Sequence, residues 1–399
     1  MNKIQTATYY LGLLLCLMSG LLLEACSSDS ASDSRPDNSS SERTVRLSAG
    51  ARQYHVDEAE MASAPGLTRT VYPGTDWAPI TPTDNMLVFV TKEKDSPTAS
   101  DVLSRIFYST TSGWQSNITI TDAGPDNHYL IYGFMPIDAE NVSIRLLSTN
   151  TNYKAGATMS INGLKVLTQT DPCVIVGVGK QETSTPDVTL KWGTFDFTFK
   201  EGTSDVTDYM SILLDHIYSR YHFKVKIDAD YAQLRTIKIT KMTLEALNND
   251  GQTLGSVNAK VNIQANTTNS NPLSSVTFSR NVGARMVTLF DKKTTTNTSY
   301  TNGIVLDKIN TDFQEAGFCL APGDQRIFRL TTEYEVYDRE DKQIRTNKVS
   351  NTFNTANFKD KKITSTAPGL EHTIQIIVNP TYFYVLSDSD LYNPTITIN

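Results

Sequence analysis

Five histidines, His55, His128, His216, His222 and His372, are the first residues to test for metal or acid–base chemistry. His216 and His222 stand six apart, which is neither the i, i+4 of one helix face nor the i, i+2 of one strand face. Each therefore reads as a hydrogen-bonding partner of backbone or of Asp215. The four cysteines, Cys16, Cys26, Cys173 and Cys319, lack the CxxC spacing of a zinc site. Cys173 and Cys319 read as two buried thiols, with a bridge between them as the alternative. Gly177-Val178-Gly179-Lys180 opens like a nucleotide loop, but Glu182 stands where the third glycine belongs and no helical pattern follows. A turn is expected there. Asp228-Ala229-Asp230 and Asp388-Ser389-Asp390 lack the Gly and distal Glu of a calcium loop and read as solvated turns. No HExxH, GxSxG or phosphate-binding loop occurs. Carboxylate pairs for glycoside hydrolysis meet in space rather than in sequence, and composition gives no positive reason to propose one. The expectation is a non-enzyme with no catalytic residue, no metal and no cofactor.

Composition narrows the remaining classes. The 399 residues are 39% hydrophobic and 20% charged, enough to close real cores and too apolar for a disordered chain. Net charge is −7, and no basic block occurs. Nucleic-acid binding, which needs clustered Lys and Arg to neutralise phosphates, is not expected.

Most of the chain is written in period two. Apolar and charged residues alternate in Phe223-Lys224-Val225-Lys226-Ile227-Asp228. Val257, Ala259, Val261 and Ile263 alternate with Asn258, Lys260, Asn262 and Gln264, and Phe328, Leu330, Thr332, Tyr334 and Val336 alternate with Arg329, Thr331, Glu333 and Glu335. Such alternation marks strands with one face on a core. Met86–Val90, Val142–Leu147, Val174–Val178, Thr194–Phe199 and Ile374–Leu386 are further β-branched or aromatic runs. Turn signals include Asn162-Gly163, Asn249-Asp250-Gly251, Asn302-Gly303 and Pro322-Gly323. Asp205–Tyr221 has near-helical spacing at Met210, Leu213, Leu214, Ile217 and Tyr221, yet runs into alternating strand with no Gly or Pro between. It reads as a kinked strand. The fold class is all-β, with sandwiches of many short strands. A polar link at Gln181–Pro186 suggests a division into 43–186 and 187–399.

The start of the chain carries an address. Lys3 precedes an apolar stretch from Tyr9 to Leu23 that suits a secretory signal better than a membrane span. Leu23-Glu24-Ala25-Cys26 resembles the lipobox of bacterial lipoproteins, with Glu24 unusual at its position. That resemblance implies a signal peptide at 1–25 and acyl chains on Cys26, each buried methylene contributing roughly 0.8 kcal/mol. Asp29, Asp33 and Asp37 resemble the acidic export tags of surface lipoproteins. Residues 26–42 are too polar to order themselves and read as a tether.

Taken together, the residues resemble the fimbrillin family, the subunits of type V pili in Bacteroidetes. The lipobox at Cys26 is one feature. Another is Val45-Arg46-Leu47-Ser48-Ala49, followed by Leu67-Thr68-Arg69-Thr70, Trp77 and Met86-Leu87-Val88-Phe89-Val90. Leu214-Asp215-His216 and Ser219-Arg220 then lead into Phe223–Ile227, and Pro322-Gly323 precedes the tail Ile376–Asp388. The resemblance implies two tandem transthyretin-like β-sandwich domains and a structural role supporting adhesion. It implies a precursor carried to the outer membrane and cell surface as a lipoprotein. A trypsin-like processing protease would cut behind the first strand, and another subunit's C-terminal strand would fill the groove. Carried onto this chain, the removable strand is Thr44–Ala49, and the cut follows Arg69 or Arg52. The donor lies in 373–399, with Tyr382, Tyr384, Leu386, Ile396 and Ile398 as candidate donor residues. The expected partners are other pilus subunits, the outer membrane through the lipid, and the protease. The alternative is a surface glycan-binding lipoprotein, which needs an exposed aromatic platform; Trp77, Trp114 and Trp192 are scattered among strand-core neighbours.

Overall fold

Alternating apolar and polar side chains commit a segment to a half-buried strand, and here nearly every such segment is one. The computed structural model describes residues 44–56, 77–79, 86–92, 104–109, 113–116, 120, 124, 126–135, 141–146, 156–181, 192–201, 207–266, 271–310, 312–314, 317–323, 327–357, 363, 366–379 and 395–398. All of them fall in one compact unit, Glu42–Asn399.

The chain begins with β1 (Thr44–Arg52), β2 (His55–Val56), β3 (Trp77–Pro79), β4 (Met86–Lys92), β5 (Ser104–Ser109) and β6 (Gly113–Ser116). It continues through β7 (His128–Met135), β8 (Asn141–Leu146), β9 (Gly156–Lys165), β10 (Leu167–Thr168), β11 (Cys173–Gln181) and β12 (Asp196–Thr198). Next come β13 (Thr207–His216), β14 (Ser219–Ile227), the one-turn helix α1 (Ala229–Ala232), β15 (Thr236–Leu247), β16 (Leu254–Gln264) and β17 (Leu273–Val282). The remainder is β18 (Val287–Asp291), β19 (Ile304–Leu306), β20 (Asp312–Gln314), β21 (Phe318–Leu320) and β22 (Ile327–Tyr337), then β23 (Gln343–Asn354), β24 (Leu370–Asn379) and β25 (Thr395–Ile398).

Among the described residues these strands form four sheets. A nine-stranded sheet runs β3-β1-β13-β11-β7-β4-β5-β6 with β12 beside β7, and it curls until β6 comes near β1. A seven-stranded sheet runs β10-β21-β14-β24-β2, with β20 on β14 and β25 on β24. The five-stranded sheet is β18-β15-β22-β23 with β19 on β15, and the four-stranded sheet is β17-β16-β9-β8. The seven- and five-stranded sheets face each other as a sandwich. Val225, Ile376 and Val378 of one line a small apolar gap with Ile237, Ile239, Met242 and Tyr334 of the other. Tyr221 and Phe223 of β14 meet Phe328 of β22 and Phe353 of β23, with ring centroids 6.4 and 6.3 Å apart.

The period-two segments hold. β22 alternates without a break, burying Phe328, Leu330, Thr332, Tyr334 and Val336, and β16 buries Val257, Ala259, Val261 and Ile263. The kinked strand is also present, as β13 and β14 joined by Ile217 and Tyr218. Both linking residues are fully buried; the Ile217 amide donates to the Pro172 carbonyl at 2.9 Å, and the Tyr218 hydroxyl to the Lys165 carbonyl at 2.9 Å.

Other expectations need correction. Gly177-Val178-Gly179-Lys180 is not a turn but the middle of β11, because its residues pair with Leu213, Ile212, Ser211 and Met210 of β13. Asn162-Gly163 is not a turn either. It is a bulge within β9, where Gly163 takes φ 74° and donates its amide to Asn258 Oδ1 at 3.0 Å. Asp228 does not simply face solvent: it caps α1, accepting from the amides of Asp230 and Tyr231. Nor do the sheets divide at 186/187. β12 and β13 pair with β7 and β11, and β16 pairs with β9, so strands on both sides of that link share sheets. The chain leaves the nine-stranded sheet for the seven-stranded one at Ile217–Tyr218, some thirty residues later. A polar link marks where a chain can cross a surface, not where backbone pairing ends.

Candidate functional site

Two of the strand pairings are parallel along eight positions. β1 runs beside β13 from Thr44↔Thr207 to Ala51↔Leu214, and β24 runs beside β14 from Arg220↔Glu371 to Ile227↔Val378. The first brings the earliest described strand against a strand more than 150 residues later. Such a pairing cannot come from a hairpin and needs a long connection.

β1 is held unequally along its length. Over Thr44–Ala49 its one hydrogen-bonded neighbour among the described residues is β13. From Gly50 to Arg52 it gains β3 on the other side, in antiparallel register with Pro79, Ala78 and Trp77. The residues expected as the removable strand are therefore the singly paired part.

The C-terminal end of β1 runs into a buried polar cluster. Arg52, its last residue, is 7% exposed and places Nη1 3.7 Å from Oδ2 of the fully buried Asp215. Its guanidinium also lies 5.9 Å from the ring centroid of Trp192. Asp215 accepts in addition from the His216 amide at 2.9 Å and from Asn271 Nδ2 at 3.1 Å. Multiple donors of this kind are what a buried carboxylate requires. The His216 ring donates from Nε2 to the Arg52 carbonyl oxygen and presents Nδ1 to Asp171 Oδ2 at 2.7 Å. Tyr54, just past the strand, stacks on His216 at 3.8 Å and donates its hydroxyl to Asp171 Oδ1 at 2.6 Å.

Two thiols border the same cluster. Cys173 Sγ lies 3.4 Å from His216 Nδ1, and Cys319 Sγ lies 3.6 Å from the Tyr54 hydroxyl. Both are buried and unbridged. Cys173 and His216 are directly opposed on β11 and β13, which is why their side chains meet.

The electrostatics follow from burial and the two carboxylates. Burial pushes the Cys173 thiol well up, and Asp171 and Asp215 add to the push. Burial raises Tyr54 as well, reinforced by Cys319 and Asp171. Burial by itself would lower His216, but the Asp171 carboxylate, with Asp215 and the Arg52 carbonyl, holds it above the ordinary histidine value. Through Nε2 the His216 ring fastens β1 by its last carbonyl.

The sequence-predicted residues are scattered relative to this cluster. Arg52 lies inside it, at the end of a strand rather than in the polar loop expected of it. Cys26, Arg69, Tyr382, Tyr384, Leu386 and Asp388 lie outside the described residues. Ile396 and Ile398 belong to β25, which pairs antiparallel with β24 through Ile396↔Val378 and Ile398↔Ile376. His222 does have a carboxylate partner, Glu371, though not Asp215. Tyr54, Asp171 and Asn271 went unnoticed in the sequence, and Trp192 was read only as a scattered residue with strand-core neighbours. Tyr54 and Asp171 stand 117 residues apart and Asn271 and Asp215 stand 56 apart, and no local pattern links them.

No protein-family model matches the sequence, and no curated protein sequence matches it. Among solved structures, a candidate cell adhesion protein from Bacteroides fragilis is 9% identical with a TM-score of 0.39, covering 90% of this chain and 97% of that one. The fimbrial anchor protein from Porphyromonas gingivalis is 10% identical with a TM-score of 0.26, covering 88% and 97%. A fimbrial protein from Bacteroides ovatus is 9% identical with a TM-score of 0.27, covering 84% of this chain and 48% of that one. At such scores the roles of those proteins do not transfer to this chain.

Proposed function

We propose that this chain is the precursor of a structural, non-enzymatic subunit of a type V pilus on the bacterial surface, joined to its neighbours by exchange of β-strands. The observation that carries the reading is the parallel seat of β1 on β13, with Thr44–Ala49 paired on one side only among the described residues. Withdrawing β1 would strip eight register positions of β13 of their partner and uncover the core around Ala49 and Ala51, both buried. An incoming strand satisfies both needs at once: backbone groups find donors and acceptors, and alternate side chains fill the groove.

Processing fits this reading best after Arg69. A cut there leaves β1 joined to nothing beyond the segment that follows it, whereas Arg52 is buried in its ion pair with Asp215 and would have to leave the cluster before a protease could reach it. The donor would come from the end of the chain. β25 pairs with β24 over four positions, against eight for β24 on β14, so the last strand is the easier to detach. Lipidation at Cys26 would hold the precursor on the outer membrane, and adhesion would follow from the assembled fibre.

Limited trypsin digestion of the chain lacking residues 1–26 tests the reading. The expected result is one clean cut after Arg69, followed by ladders of SDS-resistant oligomers. A chain that resists cutting and stays monomeric overturns it and favours the glycan-binding lipoprotein.

A further inference from the structure

The geometry points to a transition-metal site of the zinc class at Asp171, Cys173 and His216, within the cluster that also holds the end of β1. One ligand atom from each of the three lies within 4.8 Å of the others. The three residues are separated by up to 45 positions in sequence but are joined by strand register: Cys173 faces His216 across β11 and β13, and Asp171 precedes Cys173 by two residues. In a tetrahedral zinc centre, a thiolate sulfur and an imidazole nitrogen sit about 3.6 Å apart, given Zn–S near 2.3 Å and Zn–N near 2.05 Å. Cys173 Sγ and His216 Nδ1 are 3.4 Å apart. The Asp171 carboxylate, 2.7 Å from Nδ1, would open by about 0.6 Å to reach the roughly 3.3 Å that a nitrogen and an oxygen ligand keep on such an ion.

The surrounding contacts orient the donors as a metal requires. The His216 Nε2–H is committed to the Arg52 carbonyl, so a neutral ring turns its lone pair at Nδ1 toward Asp171 and Cys173. Asp171 Oδ1 accepts from the Tyr54 hydroxyl at 2.6 Å, leaving Oδ2 on the His216 side. The Asp171 side chain is 32% exposed while that of His216 is 3% exposed, so the cluster is reached from the Asp171 side, where water would complete the coordination. One sulfur, one nitrogen and one carboxylate oxygen suit zinc or cobalt and not calcium or magnesium.

The charges also balance. Coordination needs an unprotonated Nδ1 and a thiolate, so any protons on these atoms pass to solvent as the ion binds. The divalent ion then offsets the thiolate and the Asp171 carboxylate, while Arg52 continues to offset Asp215.

The test is Co2+ titration of the metal-free full chain, followed by absorption spectroscopy. The expected result is one equivalent of cobalt with a thiolate-to-cobalt charge-transfer band. The band should vanish in Cys173→Ser and persist in Cys319→Ser, with affinity at least 10-fold weaker in Asp171→Asn. Thermal unfolding of each metal-free variant confirms that it is folded, and the Cys319→Ser protein keeps the comparison intact if Cys173→Ser is impaired. A wild-type chain that gives no such band overturns the site, as does a band that disappears in Cys319→Ser.

Discussion

β13 and β14 follow one another in the chain, and each carries a parallel partner in register over eight positions. The means of attachment differ. β24 is fastened on β14 by large side chains: Ile374, Ile376 and Val378 are each no more than 3% exposed. At roughly 1.5–3 kcal/mol per buried aliphatic side chain, these three alone contribute on the order of 5–9 kcal/mol, an upper estimate. The fully buried side chains described in β1 are those of Ala49, Ala51 and Arg52, with Leu47 half-buried. Among the described side chains of β1, two alanines and the half-buried Leu47 supply less apolar area, and the polar cluster at its end adds a hold of a different kind. Apolar packing spreads along a strand and resists peeling. A polar clamp concentrates the hold at one point, which is compatible with the proposed withdrawal of β1.

The sharpest way to break this contrast is Asp215→Ala. It leaves the Arg52 guanidinium buried without its carboxylate, and the expected loss is about 3–5 kcal/mol in guanidinium unfolding. A loss below about 1 kcal/mol would show that the cluster does not hold β1. A matched pair of truncations compares the two strands directly. Ile376→Ala in β24 should cost about 2–5 kcal/mol through the cavity it leaves, whereas Ala49→Gly in β1 should cost about 1 kcal/mol. Equal losses would remove the distinction drawn above. The smallest effect is expected of Tyr54→Phe, which deletes one hydrogen bond to the partly exposed Asp171 and keeps the stack on His216. About 1 kcal/mol is expected in the same unfolding measurement.

The contrast also explains what could be read in advance. β14, β16 and β22 were legible because each alternates over its own residues, and alternation is a local property that survives whatever the strand pairs with. The kink somewhere in Asp205–Tyr221 was legible because near-helical spacing runs into alternating strand with no Gly or Pro between, but its place at Ile217–Tyr218 was not. The Gly177–Lys180 segment misled because glycines suggest a turn, whereas pairing with β13 on one side overrides that local preference. Asn162-Gly163 misled in the same way, since a positive φ serves a bulge as well as a turn.

The clamp at the end of β1 was not legible at all. His216 and Asp215 stood out as a local pair, but Arg52, Tyr54, Asp171 and Cys173 join them only through the β1–β13 and β11–β13 registers. By itself the sequence determined that the protein is all-β and, for the alternating segments, that they are strands and which of their faces are buried, because those depend on neighbours two residues away. Only the tertiary structure decided which strand lies beside which. Pairing partners are chosen by backbone hydrogen bonds and core fit across more than a hundred residues, and nothing in the local pattern records that choice.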